Sequence, residues 1–474
     1  MINPVGAFYR VVAVQLSRAG LIDEERGRRI GDLAWPRFLT MFARYLQRVT
    51  DVAMVGLTIG PTAIAGLAFA TIYWGLANGF SLGLVGGTIS QVSQRYGAGQ
   101  HDRLDLAVKQ SLWIGMAIAL PFVLAFTLFP AALIGLVGDA SRSVDYGSAY
   151  LAVLAPALTF NVVNLVSSRT LAGADDTWIA MSVRTTGALA NIVFNAVFIF
   201  GLGMGVAGAA LGTVLAEALI TACFAYGFLR GRLPLIGAFP VTLSVRRPYF
   251  DRELTVQLLR ITPPLMTQKL ARALAAFPLF ALMAAFGPLV VAAFEVGRRM
   301  RRLMRSTANG FGMAASSLVG QELGRGDELA AEEYASDLIR FSAVIYVAVA
   351  AVVVALARPL AHVFTDDPEA IRATVPFIRV AAVSFVAMGV DYSFTGILKA
   401  AGDNRWSMYS RLVSQYLVLI PLTFLGTVTP LGVTAVFAGM FLEPVSSGVI
   451  TGRRVVSGTW KRVSRAHRPE AVDD

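Results

Sequence analysis

Asp51 is the single acid in the stretch 33–57, whose other charged residues are Arg37, Arg44 and Arg48. A charge at mid-membrane costs at least about 2.5–3.5 kcal/mol, so a carboxylate there is a candidate for binding a proton or Na⁺. Arg48, three residues earlier, could instead pair with it and make it structural. Pro36 can kink the same helix and free backbone carbonyls. Asn191 and Asn195 stand one turn apart on one helix face. With Thr213 they could supply neutral oxygens beside Asp51. Oxygen ligands suit a hard cation and equally the hydrogen-bond network of a carboxylic acid; ordinary interhelical hydrogen bonding is the other use of such residues.

The second half carries its own buried charges. Asp391 sits in one apolar span, and Lys269 and Arg272 sit in another. Glu295, Arg298, Arg299, Arg301, Arg302 and Arg305 crowd a third. Five arginines in eight positions cannot all face lipid. They either line a cavity, favouring anionic or zwitterionic cargo, or form an internal ion-pair network with Glu295 and Asp391. Glu217 and Glu443 occupy matching places and read as stabilising contacts. Tyr73, Trp74, Phe80, Phe280 and Phe294 could stack on lipophilic cations, though core packing is their commoner use. Cys223 is alone, and His101, His362 and His467 lie far apart, so no resident metal and no cofactor is expected. There is no P-loop and no HExxH, so direct ATP drive and catalysis are not expected.

These residues must be positioned by membrane helices. Hydrophobic residues make up 56% of the 474 and charged residues 15%, against about 25% charged in globular proteins. A span needs about 20 apolar residues. Twelve candidates fit, near 33–57, 63–94, 106–133, 146–171, 179–202, 206–229, 257–286, 289–321, 334–358, 372–398, 406–427 and 431–452. The apolar runs are too long for membrane β-strands. The net charge of +11 sits in turns and termini, which argues for membrane topology and against nucleic acid. Turns at 57–62, 201–205, 287–288 and 428–430 hold no Lys or Arg. The opposite set holds Arg95, Arg103, Lys109, Arg230, Arg246, Lys399, Arg405 and Arg411, among others. The positive-inside rule puts that set and both termini in the cytoplasm. Residues 1–32 do not read as a signal peptide; they read as an amphipathic cytoplasmic segment.

The two halves repeat at an offset of 227 or 228 residues. Pro36 answers Pro264, Gly60-Pro61 answers Gly287-Pro288, and Asp175 and Trp178 answer Asp403 and Trp406. The lag spans six helices, so both halves have one orientation, as in parallel-repeat transporters. The expected organisation is a segment 1–32, an N-lobe 33–229, a cytoplasmic linker 230–256, a C-lobe 257–455 and a tail 456–474. The fold class is an all-α integral membrane protein with twelve transmembrane helices in two pseudo-symmetric six-helix bundles. A vestibule between like-oriented lobes would permit alternating access.

The chain resembles the multidrug and toxic compound extrusion (MATE) transporters. The resemblance rests on Pro36, on Thr50-Asp51-Val52-Ala53-Met54-Val55-Gly56, and on Gln94-Arg95-Tyr96-Gly97-Ala98-Gly99 with its copy Gly320-Gln321-Glu322-Leu323-Gly324-Arg325-Gly326. It also rests on Gly173-Ala174-Asp175-Asp176 with Ala401-Gly402-Asp403-Asn404. It implies export of organic, chiefly cationic, compounds in exchange for H⁺ or Na⁺, through a monomer in the cell membrane. The family's N-lobe ion site maps onto Asp51, Asn191, Asn195 and Thr213, and its C-lobe acid onto Asp391. Some members carry an acid where Asn195 stands, and some carry one near Arg272. Asp391, Arg272, Glu295, Arg298 and Arg302 are the cargo-site candidates. A flippase for lipid-linked oligosaccharides is the alternative, its pyrophosphate bound by the arginines of 298–305; a membrane-embedded enzyme is a distant third.

Overall fold

The computed structural model of the chain describes residues 4–136, 141–246, 248–364 and 366–466. The helices are α1 (Pro4–Arg18), α2 (Glu24–Ile59), α3 (Pro61–Gly97), α4 (His101–Leu128), α5 (Pro130–Gly135), α6 (Ser141–Gly173), α7 (Trp178–Ala196) and α8 (Gly205–Arg230). After them come α9 (Arg252–Leu274), α10 (Ala276–Ala284), α11 (Pro288–Arg325), α12 (Glu328–Ala355), α13 (Ala357–His362) and α14 (Pro368–Ala400). The last four are α15 (Asn404–Leu412), α16 (Ile420–Val428), α17 (Val433–Val456) and α18 (Thr459–Arg465). π-Helical turns at Val197–Gly201 and Val413–Leu419 extend α7 and join α15 to α16.

Among the described residues, nine helices are long and apolar enough to cross a membrane. The other three crossings are α2, α9 with α10, and α11. Their lengths suffice: α11, with 38 residues, is about 57 Å long at 1.5 Å per residue. Charged and polar residues, and the break between α9 and α10, keep them outside the apolar set. The lipid-facing surface is plain on α4, where Leu120, Leu124 and Leu128 recur every fourth residue and are all exposed. In water such a stripe would be a liability; in a bilayer it is the solvated face.

Local sequence sets the helix ends. Proline opens α5, α11 and α14, where its missing N–H costs nothing. Asp327 caps α12 by accepting from the Ala330 N–H at 2.9 Å.

The chain forms two compact units. The N-unit holds Leu39–Tyr96 and Gln100–Thr262; the C-unit holds the chain through Phe38, Gly97–Gly99, and everything from Pro263. The boundary falls inside α2, just after the buried Pro36. α2 is thus shared: its start belongs with the C-unit and its Asp51 end with the N-unit.

Within the C-unit, α1 is fastened to α11 and α12. The Tyr9 ring stacks on Phe311 at 5.7 Å and meets Phe341 edge-on. Ala13 and Leu16 are buried below it, whereas Phe8 and Val11 face outward. Arg26 pairs with Asp337 at 2.6 Å and Glu333 at 2.8 Å. Within the N-unit, the stretch after α8 is a small antiparallel hairpin, Arg232–Leu233 with Gly237–Ala238. It is pinned by Phe239 against Phe228 and by Lys109 donating to the Arg246 carbonyl.

Candidate functional site

The N-unit brings together the four residues expected around its ion site. Asn195 Nδ2 donates to Asp51 Oδ1 at 2.7 Å. With its amide oriented to satisfy its neighbours, Asn191 also donates to that oxygen, at 2.9 Å. The Asn191 oxygen then accepts from Thr213 Oγ1 and N at 3.1 and 3.2 Å. Both asparagines are wholly buried and Asp51 is half-buried. Among the described residues, Arg48 acts on Asp51 electrostatically but makes no close ion pair with it.

Two features missed in the sequence shape this cluster. Gly212, on α8, faces Asn195: a Cβ there would stand 2.0 Å from Asn195 Oδ1. The amide therefore lies against bare backbone. Its Oδ1 is buried without a partner. The π-helical turn begins two residues later, a local irregularity common at functional positions.

The C-unit has a different cluster. Asp391 is wholly buried. Its Oδ2 receives Arg411 Nη2 and Ser447 Oγ, each at 3.0 Å, and its Oδ1 receives Thr451 Oγ1 at 2.9 Å. Arg411 Nη1 holds Glu443 at 3.0 Å, and Arg301 Nη2 holds the other Glu443 oxygen at 2.9 Å. This corrects two expectations. Arg411 is not a cytoplasmic turn residue; it is 3% exposed between two acids. Asp391 reaches an α11 arginine, Arg301, only through Arg411 and Glu443; its direct partner comes from α15.

Glu295 makes a separate network. It receives Arg298 Nε and Arg302 Nη2 at 2.7 Å each, and Arg299 Nε at 3.4 Å. Arg298 lies over the Phe280 ring, 4.5 Å from its centroid. Arg272 lies on α9, and its side chain falls outside the described residues. The remaining aromatics pack on one another: Tyr73 on Phe126, Phe80 on Phe122, Phe280 on Phe294.

The repeat offset would have found the C-unit cluster. Asn164, Arg184, Glu217 and Thr221 stand 226 or 227 residues before Asp391, Arg411, Glu443 and Ser447. They form the corresponding cluster in the N-unit. Asn164 Nδ2 donates to Glu217 at 2.7 Å, Thr221 donates to Asn164 Oδ1 at 3.0 Å, and Arg44 pairs with Glu217 at 3.1 Å. Arg184 donates to the Asn164 carbonyl at 3.0 Å. The Asp51 cluster is not duplicated. The positions answering Asp51, Asn191 and Asn195 hold Pro278 or Leu279, Val418 or Leu419, and Leu422 or Thr423.

Nothing in this geometry is a catalytic constellation. Gly79-Phe80-Ser81-Leu82-Gly83 has the spacing of a hydrolase nucleophile elbow. Such an elbow needs a strand-to-helix turn; here Ser81 is in mid-helix and donates to the Ala77 carbonyl.

Comparison with known proteins agrees. The MatE family model matches residues 36–197 and again 264–425. A probable multidrug resistance protein NorM of Bradyrhizobium diazoefficiens is 27% identical over 433 residues, covering 86% of this chain and 88% of the relative. The multidrug export protein MepA of Staphylococcus saprophyticus is 23% identical, covering 76% and 77%. A MATE crystal structure in a bent conformation has a TM-score of 0.84 at 22% identity, over 96% of this chain and 99% of that one. A MOP superfamily transporter from Pyrococcus furiosus, described as having a binding pocket of reversed polarity, has a TM-score of 0.82 at 22% identity, over 91% and 96%. With both halves matched by one family model and both halves built as six crossings, the chain belongs to the MatE family of membrane multidrug efflux transporters, whose members are transporters rather than enzymes.

Proposed function

We propose that the chain is a secondary antiporter of the bacterial plasma membrane that exports small organic compounds against an inward flow of H⁺ or Na⁺ coupled at Asp51. The carrying observation is the Asp51 oxygen capped by two buried amides, in one unit only, with no arginine among the described residues in ion-pair contact with it. A carboxylate held by neutral donors can change its charge state, whereas one locked to an arginine, such as Asp391, cannot do so cheaply. The driving energy is about 2.3 kcal/mol per charge per 100 mV before any concentration term.

Binding at Asp51 then shifts the inward–outward equilibrium to the extent that the ion prefers one state. Pro36, at the unit boundary on the same helix, is the natural point of bending. The basic turns support cytoplasmic termini, with Arg411 removed from that count. The test is gradient-driven ethidium and norfloxacin transport in proteoliposomes, comparing wild type with D51N. Loss of coupled export in D51N is expected. Coupled export at the wild-type rate would remove Asp51 from the mechanism.

A further inference from the structure

The arginine face of α11 is unlike the other buried charge in this protein. Glu443, Asp391 and Glu217 are nearly inaccessible, and each has its charge or hydrogen-bond partners at hand. Around Glu295 the balance fails: one carboxylate receives Arg298, Arg299 and Arg302, an excess of two positive charges among those four. The Arg299 and Arg302 side chains are 60% and 51% exposed.

Their depth makes that exposure informative. α11 begins at the Gly287-Pro288 turn. At 1.5 Å per residue, Arg298 and Arg302 lie about 15 and 21 Å along it, within a hydrocarbon core about 30 Å thick. Guanidinium groups half-open at that depth face water, because the lipid alternative is prohibitive. Phe280 lies under Arg298, which shares Glu295 with Arg299 and Arg302, and is edge-on to Phe294. The surface thus offers planar forks of N–H donors next to an aromatic face. Guanidinium forks match carboxylate and phosphate oxygens two by two, and the neighbouring ring suits an apolar body.

We infer that this face of α11 binds amphipathic organic anions or zwitterions, the anionic group on Arg299 and Arg302 and the apolar part toward Phe280. The inference rests on the efflux reading and names a cargo class for it. Simple lipophilic cations are disfavoured here by the uncompensated charge. Two sources share the chemistry: soluble aromatic carboxylates and isoprenoid pyrophosphates.

The test is calorimetric titration of the full chain in nanodiscs with 1-naphthoate, farnesyl pyrophosphate and ethidium, for wild type, R299Q/R302Q and E295Q. At least one anion is expected to bind wild type and to weaken about tenfold or more in R299Q/R302Q, the loss of one charge-assisted contact. E295Q is expected to tighten it, a gain that misfolding cannot imitate. Ethidium is expected to move the opposite way in both variants. Tighter binding of farnesyl pyrophosphate assigns the anion to lipid, and tighter binding of naphthoate to soluble cargo. If neither anion binds, or anion affinity is the same in all three proteins, the inference fails. Gradient-driven norfloxacin flux through wild-type proteoliposomes is read separately: its absence would count against the efflux reading and leave the binding result standing.

Discussion

Replacing Arg411 with glutamine asks whether the C-unit cluster is a charge-balanced scaffold. Arg411 reaches Asp391 and Glu443, each at 3.0 Å, while Arg301 holds Glu443 at 2.9 Å. Two acids and two arginines cancel. R411Q leaves Glu443 with Arg301 but leaves Asp391 with only the hydroxyls of Ser447 and Thr451. Removing one partner of a buried pair costs about 3–5 kcal/mol, because the other charge stays buried. At roughly 2–4 °C per kcal/mol for a unit of about 200 residues, the melting temperature should fall by roughly 6–20 °C. D391N/R411Q removes both charges and restores neutrality. It should recover at least about half of the loss, a coupling well above the ~0.5 kcal/mol scatter of independent sites. Thermal unfolding in detergent measures all three variants. An R411Q melting point within about one degree of wild type, or a D391N penalty that simply adds to that of R411Q, would refute charge balance as the reason for the cluster.

Gly212→Ala places a Cβ where Asn195 Oδ1 now lies, so the amide must leave Asp51. Coupled flux should drop about tenfold or more, matching one hydrogen bond to a charged group at ~1.5–3 kcal/mol; wild-type flux would mean the Asn195 amide is dispensable. Tyr9→Ala removes the ring between Phe311 and Phe341. It should loosen α1 by about 3–5 kcal/mol, read as faster tryptic cleavage at Arg10 and Arg18. An unchanged digestion rate would mean that α1 is held by its other contacts.

The twelve crossings were legible because a bilayer imposes length and apolarity directly on sequence, and because prolines and glycines mark the turns. α2 and α11 were recovered despite their charges, since the repeat and the Gly-Pro turns bound them. Arg411 was misread for a physical reason. The positive-inside rule counts a basic residue by its distance from a span's end, and that distance cannot separate a solvated guanidinium from one neutralised between two acids. The direct partner of Asp391 was missed likewise: proximity in composition suggested α11, whose Arg301 is linked to it only through Glu443 and Arg411, because helix faces decide which arginine arrives. Asp51, Asn191, Asn195 and Thr213 were legible because polar side chains in hydrocarbon must find one another. Gly212 was not, since a missing Cβ has meaning only beside the atom that fills its place.

The two buried clusters differ in the residue beside the central arginine, and that difference makes a further prediction. In the C-unit an acid, Asp391, faces Arg411; in the N-unit the equivalent pair is Asn164 and Arg184. The N-unit cluster therefore carries Arg44, Arg184 and a single acid, Glu217. Arg184 is 2% exposed, and its Nε and Nη2 are buried without partners; in the C-unit the corresponding Nη2 of Arg411 is taken up by Asp391, while its Nε stays unpaired there too. N164D would supply that acid and bring two arginines and two acids into balance. Against this, Asn164 Nδ2 now donates to Glu217 at 2.7 Å, and a second carboxylate there must turn toward Arg184. If the inherited geometry is truly shared, the turn is available and N164D should melt no lower than wild type, in contrast to D391N, which unbalances its own cluster. A loss of more than about 2 kcal/mol, the scale of an unpaired buried polar group, would show that the repeat conserved positions without conserving the electrostatics between them.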